Sequence, residues 1–194
     1  MAIVRRDIRV EQCSVIEAGC DIVVNASNSA GALGSGVSRA IFDECGCLAM
    51  QDEVRTRLEE DLDGELGPGD CLVTSGGTSK RLRHVLHVAS VDYGAAGKEG
   101  ISNAERVMRA TEAALERAAQ LGTTDSPARV AFPLLAAGHG GLTASVSLKA
   151  MVDGMKLFFR ETPEASIGRI VIAVPEDEKY AVAKSHLAQL LVLR

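Results

Sequence analysis

Asp21-Ile-Val-Val-Asn25-Ala-Ser-Asn28, running on into Gly31-Ala-Leu-Gly34-Ser-Gly36-Val-Ser-Arg-Ala-Ile41, is the stretch that decides the fold of this chain. The short apolar run Ile22-Val-Val24 has the pattern of a strand buried on both faces. It ends in polar residues, two of them asparagines, and then in glycines. Helical spacing begins directly afterwards, at Val37, Ala40, Ile41 and Cys45. Glycines at a strand-to-helix turn let the backbone come close to a ligand, and the free N–H groups of the helix start suit a phosphate or another anion. A second stretch repeats the arrangement: Phe132-Pro-Leu-Leu-Ala-Ala-Gly138-His-Gly-Gly141-Leu142 follows the apolar run Arg129-Val-Ala-Phe132 and precedes another helical pattern. Two such loops point to a diphosphate held between them.

The rest of the chain alternates in the same way. Strands are predicted at 8–10, 22–24, 71–74, 85–89, 129–132 and 170–174. Helices are predicted at 37–45, with Gly46 as a cap, at 49–62 as an exposed charged helix, at 145–159 and at 177–191. Ser102-Asn-Ala-Glu105 has the form of a capping box, opening a helix that ends near Gly122. The turn at 64–70 holds Gly64, Gly67, Pro68 and Gly69, and the softest linker is the loop from Gly94 to Gly100. Alternating strands and helices predict an α/β fold, a three-layer α/β/α sandwich with a mixed, largely parallel central sheet. In such folds ligands sit outside the carboxyl ends of the strands, which is where Asn25, Asn28, Gly34, Gly36, Gly138, Gly140 and Gly141 fall.

Composition narrows the function. At 194 residues the chain is read as one domain, 1–194, long enough to bury a core. No apolar run reaches the roughly 18 residues of a membrane helix. The start, Met-Ala-Ile-Val-Arg-Arg-Asp, lacks a signal peptide's apolar stretch, so a cytoplasmic protein is expected. Five cysteines, an odd number, fit reduced thiols rather than a disulfide framework. Cys45-Gly-Cys47 has no second cysteine pair and no spaced histidine pair, so neither a metal nor a cofactor is expected. A net charge of −5 disfavours nonspecific binding to nucleic acid, and the absence of Trp with 3% aromatics disfavours base-stacking platforms. There is no GxxxxGK[ST], and Gly34-Ser-Gly36-Val-Ser-Arg39 lacks the third glycine of a dinucleotide fingerprint.

On these residues the chain resembles the macrodomain family, whose α/β/α fold binds ADP-ribose. Asp21-Ile-Val-Val-Asn25-Ala-Ser-Asn28 is similar to the family's DAIVNAAN, and Leu33-Gly-Ser-Gly36-Val-Ser-Arg-Ala-Ile41 to its GGGGVDGAI. Gly69-Asp-Cys-Leu-Val-Thr74 with His84-Val-Leu-His87-Val resembles its third and fourth strands. Ala131-Phe-Pro-Leu-Leu-Ala-Ala-Gly138-His-Gly-Gly141-Leu142 resembles AFPALGTGIGGF. The resemblance implies that Asn28 contacts the distal ribose and that Gly34, Ser35, Gly36 and Val37 wrap the diphosphate and that ribose. It implies a second phosphate loop at Ala137, Gly138, His139 and Gly140, continued by Gly141 and Leu142, and a bracing role for Asn25. His87 matches a strand histidine, for which the simpler reading is a satisfied core residue.

Several departures bear on activity. Many family hydrolases carry an aspartate where this chain has Ser38, and a serine near neutral pH is no comparable base. Some related macrodomains without that aspartate are still hydrolases, using the substrate's own phosphate and the asparagine to place water. The family's adenine-binding aspartate near the N-terminus is absent, and Glu11 is the candidate substitute. The usual aromatics fall at Pro175 and Gly140. His139, inside the phosphate loop, is a candidate to donate to phosphate or reach the distal ribose. The expected partner is therefore ADP-ribose or an ADP-ribosylated protein. The chain is expected to be a binding module, or a hydrolase or O-acetyl-ADP-ribose deacetylase acting through Asn28, Ser38 and His139. A pocket repurposed for another nucleotide or a protein partner is the third reading.

Overall fold

The computed structural model describes residues 6–92 and 102–192. The N-terminal start and the 94–100 linker read from the sequence lie outside or largely outside these residues. The elements in chain order are β1 (Asp7–Glu11), β2 (Ile22–Ser27), α1 (Gly36–Glu44), α2 (Leu48–Leu62), β3 (Cys71–Ser75), β4 (His84–Ala89), α3 (Ala104–Leu121), β5 (Ala128–Pro133), α4 (Ala144–Glu161), β6 (Ile167–Ala173) and α5 (Asp177–Val192), with a 3-10 turn at Val15–Glu17. The strands form one six-stranded sheet in the order β1-β6-β5-β2-β4-β3. All neighbours are parallel except β3, which runs antiparallel to β4. This is the mixed, mostly parallel α/β sandwich expected from the alternating pattern.

The sheet separates two apolar layers. On one face Ile22, Val24, Leu86, Val130 and Ile170 pack against α3, α4 and α5 through Val107, Leu115, Met151, Phe159 and Leu187. On the other, Val23, Leu72, Val85 and Val171 pack against α1 and α2 through Ile41, Met50, Val54 and Leu58. Both faces of the central strands are covered, which is why those strands are apolar at consecutive positions rather than at alternate ones.

Two local expectations change. Helix α2 is not simply an exposed helix: Met50, Val54 and Leu58, each four residues apart, form a buried stripe under an otherwise charged surface. The cap of α3 is Asn103, whose side chain accepts from Arg106 N–H at 2.8 Å, in place of a Ser102–Glu105 box. All five cysteines are free. Burial pushes the Cys20 and Cys45 thiols up to about 11 and Cys71 up to about 12, so all three stay protonated near neutral pH. Among the described residues no helix is long and apolar enough to cross a membrane.

Candidate functional site

A cleft of about 480 Å³ opens at the carboxyl ends of the parallel strands. The turn after β2 and the loop after β5 form its middle, because β2 and β5 are neighbours in the sheet. The segment after β4 closes one end, and the segments after β1 and β6 close the other.

The first loop is held in place by side chains from elsewhere. Asn28 Oδ1 accepts from Ala32 N–H at 3.3 Å, and its Nδ2 has no partner among the described residues. Gln51, on α2, accepts from Leu33 N–H at 2.8 Å and donates to the Gly31 carbonyl at 3.2 Å. Helix α1 then begins at Gly36 with no side-chain cap from Ser35, its N-cap residue. Its first N–H groups are therefore left to solvent or to an anion. Gly36 has φ +54, and a Cβ built on Gly34, Gly36 or Gly138 would meet nothing within 4 Å. These three glycines are not demanded by packing, and their effect is clearance for whatever enters.

The second loop is held by its own backbone. Ala137 N–H donates to Leu134 O at 3.2 Å, Gly141 N–H to Gly138 O at 3.1 Å and Leu142 N–H to Ala136 O at 3.1 Å. Ser147 of α4 donates to the Leu135 carbonyl at 2.7 Å, pinning the loop from behind. Ala136 is in the left-handed region at φ +59, a strained conformation for a residue with a Cβ. Gly140 sits so tightly that a Cβ there would lie 2.6 Å from Ala136 Cβ. The N–H groups of Gly138, His139 and Gly140 have no partner among the described residues.

Beneath the first loop runs a buried relay. Ser38 donates to Asn25 Oδ1 at 2.8 Å, and Asn25 Nδ2 meets His87 Nδ1 at 3.0 Å. Since that amide nitrogen can only donate, His87 carries its proton on Nε2 and donates to Thr74 Oγ1 at 2.9 Å. Thr74 in turn donates to Met50 Sδ at 3.6 Å. Burial lowers the His87 pKa to about 3, so the ring is neutral across the physiological range. His87 is a satisfied core histidine, and Asn25 is wholly buried between it and Ser38.

Of the residues singled out from the sequence, Asn28, Gly34, Ser35, Gly36, Val37, Ser38, Ala137, Gly138, His139 and Gly140 line the cleft together. Glu11, Asn25, Gly141 and Leu142 do not. Asn25 points into the core. Glu11 shares a strand face with Asp7 and Arg9, as alternation along β1 requires, and its carbonyl accepts from Val174 N–H at 2.9 Å. Gly141 and Leu142 close the turn behind the rim. Pro175 and Gly140, at the positions where aromatics were expected, both face the cleft. Residues with no motif complete the wall: Ser14 and Val15 after β1, Ser90 and Val91 after β4, and Val174, Glu176 and Lys179 after β6. Glu176 and Lys179 pair at 3.1 Å on that rim. Position relative to strand ends is the signal that would have found them, since every one follows a parallel strand.

Comparison with known proteins shows the family and the fold. A family model described as Macro domain matches residues 24–151, more than half of the chain. An uncharacterized protein of Aquifex aeolicus is 30% identical over 152 residues, covering 78% of this chain and 82% of its own. One from Sulfolobus acidocaldarius is 27% identical over 178 residues, covering 92% and 88%. Among solved structures, an Oceanobacillus iheyensis macrodomain with MES bound superposes with a TM-score of 0.77 at 18% identity, covering 97% of this chain and 94% of that one. A Trypanosoma brucei macrodomain in complex with ADP-ribose superposes with a TM-score of 0.74 at 21% identity, covering 95% and 70%.

Proposed function

The chain belongs to the macro domain family, and from that premise we propose that its cleft binds ADP-ribose, free or attached to a protein, as a reader of that modification. The observation that carries this reading is the pair of loops with unpartnered N–H groups facing one cleft: the uncapped start of α1 and the turn at 138–140. Donors fixed in place before the ligand arrives favour a diphosphate without reorganisation. In this reading Gly34, Ser35, Gly36 and Val37 face one phosphate, and Ala137, Gly138, His139 and Gly140 the other. Asn28 offers its free Nδ2 to the distal ribose. Val15 and Val174 supply apolar walls for adenine, with Glu176 replacing Glu11 as the nearby carboxylate.

Ser38 favours binding over hydrolysis. Its hydroxyl proton is directed inward to Asn25, and no carboxylate stands at that position to activate water. The hydrolase or deacetylase reading rests instead on His139, an exposed titratable group on the cleft-lining turn, together with water placed by Asn28 and the substrate's phosphate. One experiment separates these. ADP-ribose is titrated by calorimetry, and the protein is then incubated with a mono-ADP-ribosylated target while the label is followed. Binding without loss of label is the expected result. Loss of label that disappears in His139→Ala would move the assignment to hydrolysis, and no heat at millimolar ADP-ribose would overturn the ligand itself.

A further inference from the structure

We propose that Gln51 is a positioning residue for the second phosphate of the ligand, and so separates a diphosphate from a monophosphate; this rests on the ADP-ribose reading above. Gln51 belongs to α2 and is not part of the cleft wall. Its side chain nevertheless bonds the first loop twice, accepting from Leu33 N–H at 2.8 Å and donating to the Gly31 carbonyl at 3.2 Å. Leu33 is only 4% exposed and belongs to the same apolar layer as Ile41, Val54 and Leu58. Gly31 backs onto the same helix: at φ +65, a Cβ there would lie 2.7 Å from Leu58 and 2.8 Å from Val54. The loop therefore lies against α2 as far as Leu33, with Gln51 gripping it on both sides of Ala32.

Past Leu33 the chain runs open to α1. The N–H groups of Gly34 and Ser35 have no partner among the described residues, and a Cβ on Gly34 would meet nothing. The other ties lie elsewhere. Asn28 holds Ala32 N–H and Leu66 N–H holds the Ser29 carbonyl, both before Leu33, while Ser38 bonds Asn25 from within α1, after the open stretch. Gln51 is thus the last side chain to fix the loop before its donors are presented. Without it a buried N–H and a carbonyl lose their partners and must move to find water. The donors at 34–36 would then be in place for only part of the time, and affinity falls by that fraction. The strand order says which part of the ligand feels this. With adenosine at the Val174–Lys179 end, beyond β6, the first phosphate meets the loop after β5 and the second meets the loop after β2. A ligand that ends at its first phosphate stops short of the stretch that Gln51 holds.

The test titrates AMP, ADP and ADP-ribose by calorimetry into wild type and two variants. Gln51→Met keeps the length and helix propensity of the side chain but makes neither bond. Gln51→Glu keeps the acceptor for Leu33 and gives up the donor to Gly31. The expected result is that ADP and ADP-ribose bind about tenfold more weakly to Gln51→Met and about threefold more weakly to Gln51→Glu. AMP affinity stays unchanged, which also shows that each variant is folded. A merely structural role would weaken all three ligands together. In either variant, an ADP-ribose affinity equal to that of wild type, or an equal loss for the three ligands, would overturn this inference alone. So would a wild type that holds ADP no more tightly than AMP. A wild type that binds none of the three would overturn the ADP-ribose reading, and this inference with it.

Discussion

The two loops of the cleft reach the same result, exposed N–H groups, by opposite means. The first is tied down by side chains at a distance, Gln51 from α2 and the Ser38–Asn25–His87–Thr74 relay from the sheet. Gly34 and Gly36 in it have empty space around them, while Gly31 lies against Val54 and Leu58. The second is closed by its own backbone bonds, with strain at Ala136 and a glycine at 140 that no other residue could replace without displacing its neighbour. A loop held by remote side chains can be altered in sequence without losing its shape. A loop held by its own geometry cannot. By this contrast the glycine at 36 answers to backbone angle and open space, and the glycine at 140 to packing.

The most severe way to test the contrast is Gly36→Glu. The new side chain enters the open cleft and sets a negative charge against the diphosphate. Two like charges about 4 Å apart at an effective dielectric of 20 repel by about 4 kcal/mol, roughly a thousandfold in affinity. A non-glycine at φ +54 costs about 1–2 kcal/mol as well. Calorimetry should find ADP-ribose binding abolished while the melting temperature falls by only a few degrees; retained affinity would break the placement of the first loop. Gly140→Val should behave in reverse. Its Cβ meets Ala136 Cβ at 2.6 Å and Ala136 O at 2.7 Å, so the turn must open. Overpacking of this kind costs about 1–3 kcal/mol, a fall in melting temperature of about 2–12 °C. An unchanged melting curve would show that the second loop is as adaptable as the first.

The relay adds a pH dependence to the first loop's support. His87 is held neutral in the fold, with its pKa lowered to about 3, whereas an unfolded histidine titrates near 6.5. Between these values the unfolded chain binds more protons than the native one, so stability rises with pH across that window. It is fully present above about pH 6.5 and is lost as pH falls toward 3, at up to about 1.4 kcal/mol per pH unit from this group. Urea unfolding at pH 7, 6 and 5 should show the decline, and His87→Gln should flatten it while lowering stability at pH 7. A slope identical in the variant would detach the histidine from the relay's energetics.

Much of this could be read from residues alone, and the exceptions have a common cause. Ile22-Val-Val24 and Arg129-Val-Ala-Phe132 are unmistakable as buried strands because both faces are covered, and the glycines after them carry their own signature. The capping box failed because Asn103 competes with Ser102 for the same role, and an asparagine one residue later caps at least as well. Glu11 is the last residue of β1, at the end of the sheet where the cleft opens, yet it is not part of the cleft wall. Ser90, Glu176 and Lys179 carry no motif; only the strand order, which depends on contacts between residues far apart in sequence, brings them to the cleft.

The smallest expected effect is the most discriminating about the second loop. Ala136→Gly removes a Cβ from the left-handed region, worth about 1–2 kcal/mol, but adds unfolded-chain entropy worth about 0.4–1 kcal/mol in the opposite sense. The net should be a gain of about 0.5–1 kcal/mol, a rise in melting temperature of about 1–4 °C. Because Ala136 Cβ is also the nearest atom to a Cβ built at Gly140, the two sites must be coupled. Gly140→Ala should cost less in the Ala136→Gly background than alone, but not nothing, since the Ala136 carbonyl oxygen stays in the way. Strict additivity in that double-mutant cycle would mean that the strain at 136 and the crowding at 140 are separate facts. Coupling would make them one device, in which the chain accepts a left-handed alanine to turn the N–H groups of 138–140 toward the cleft.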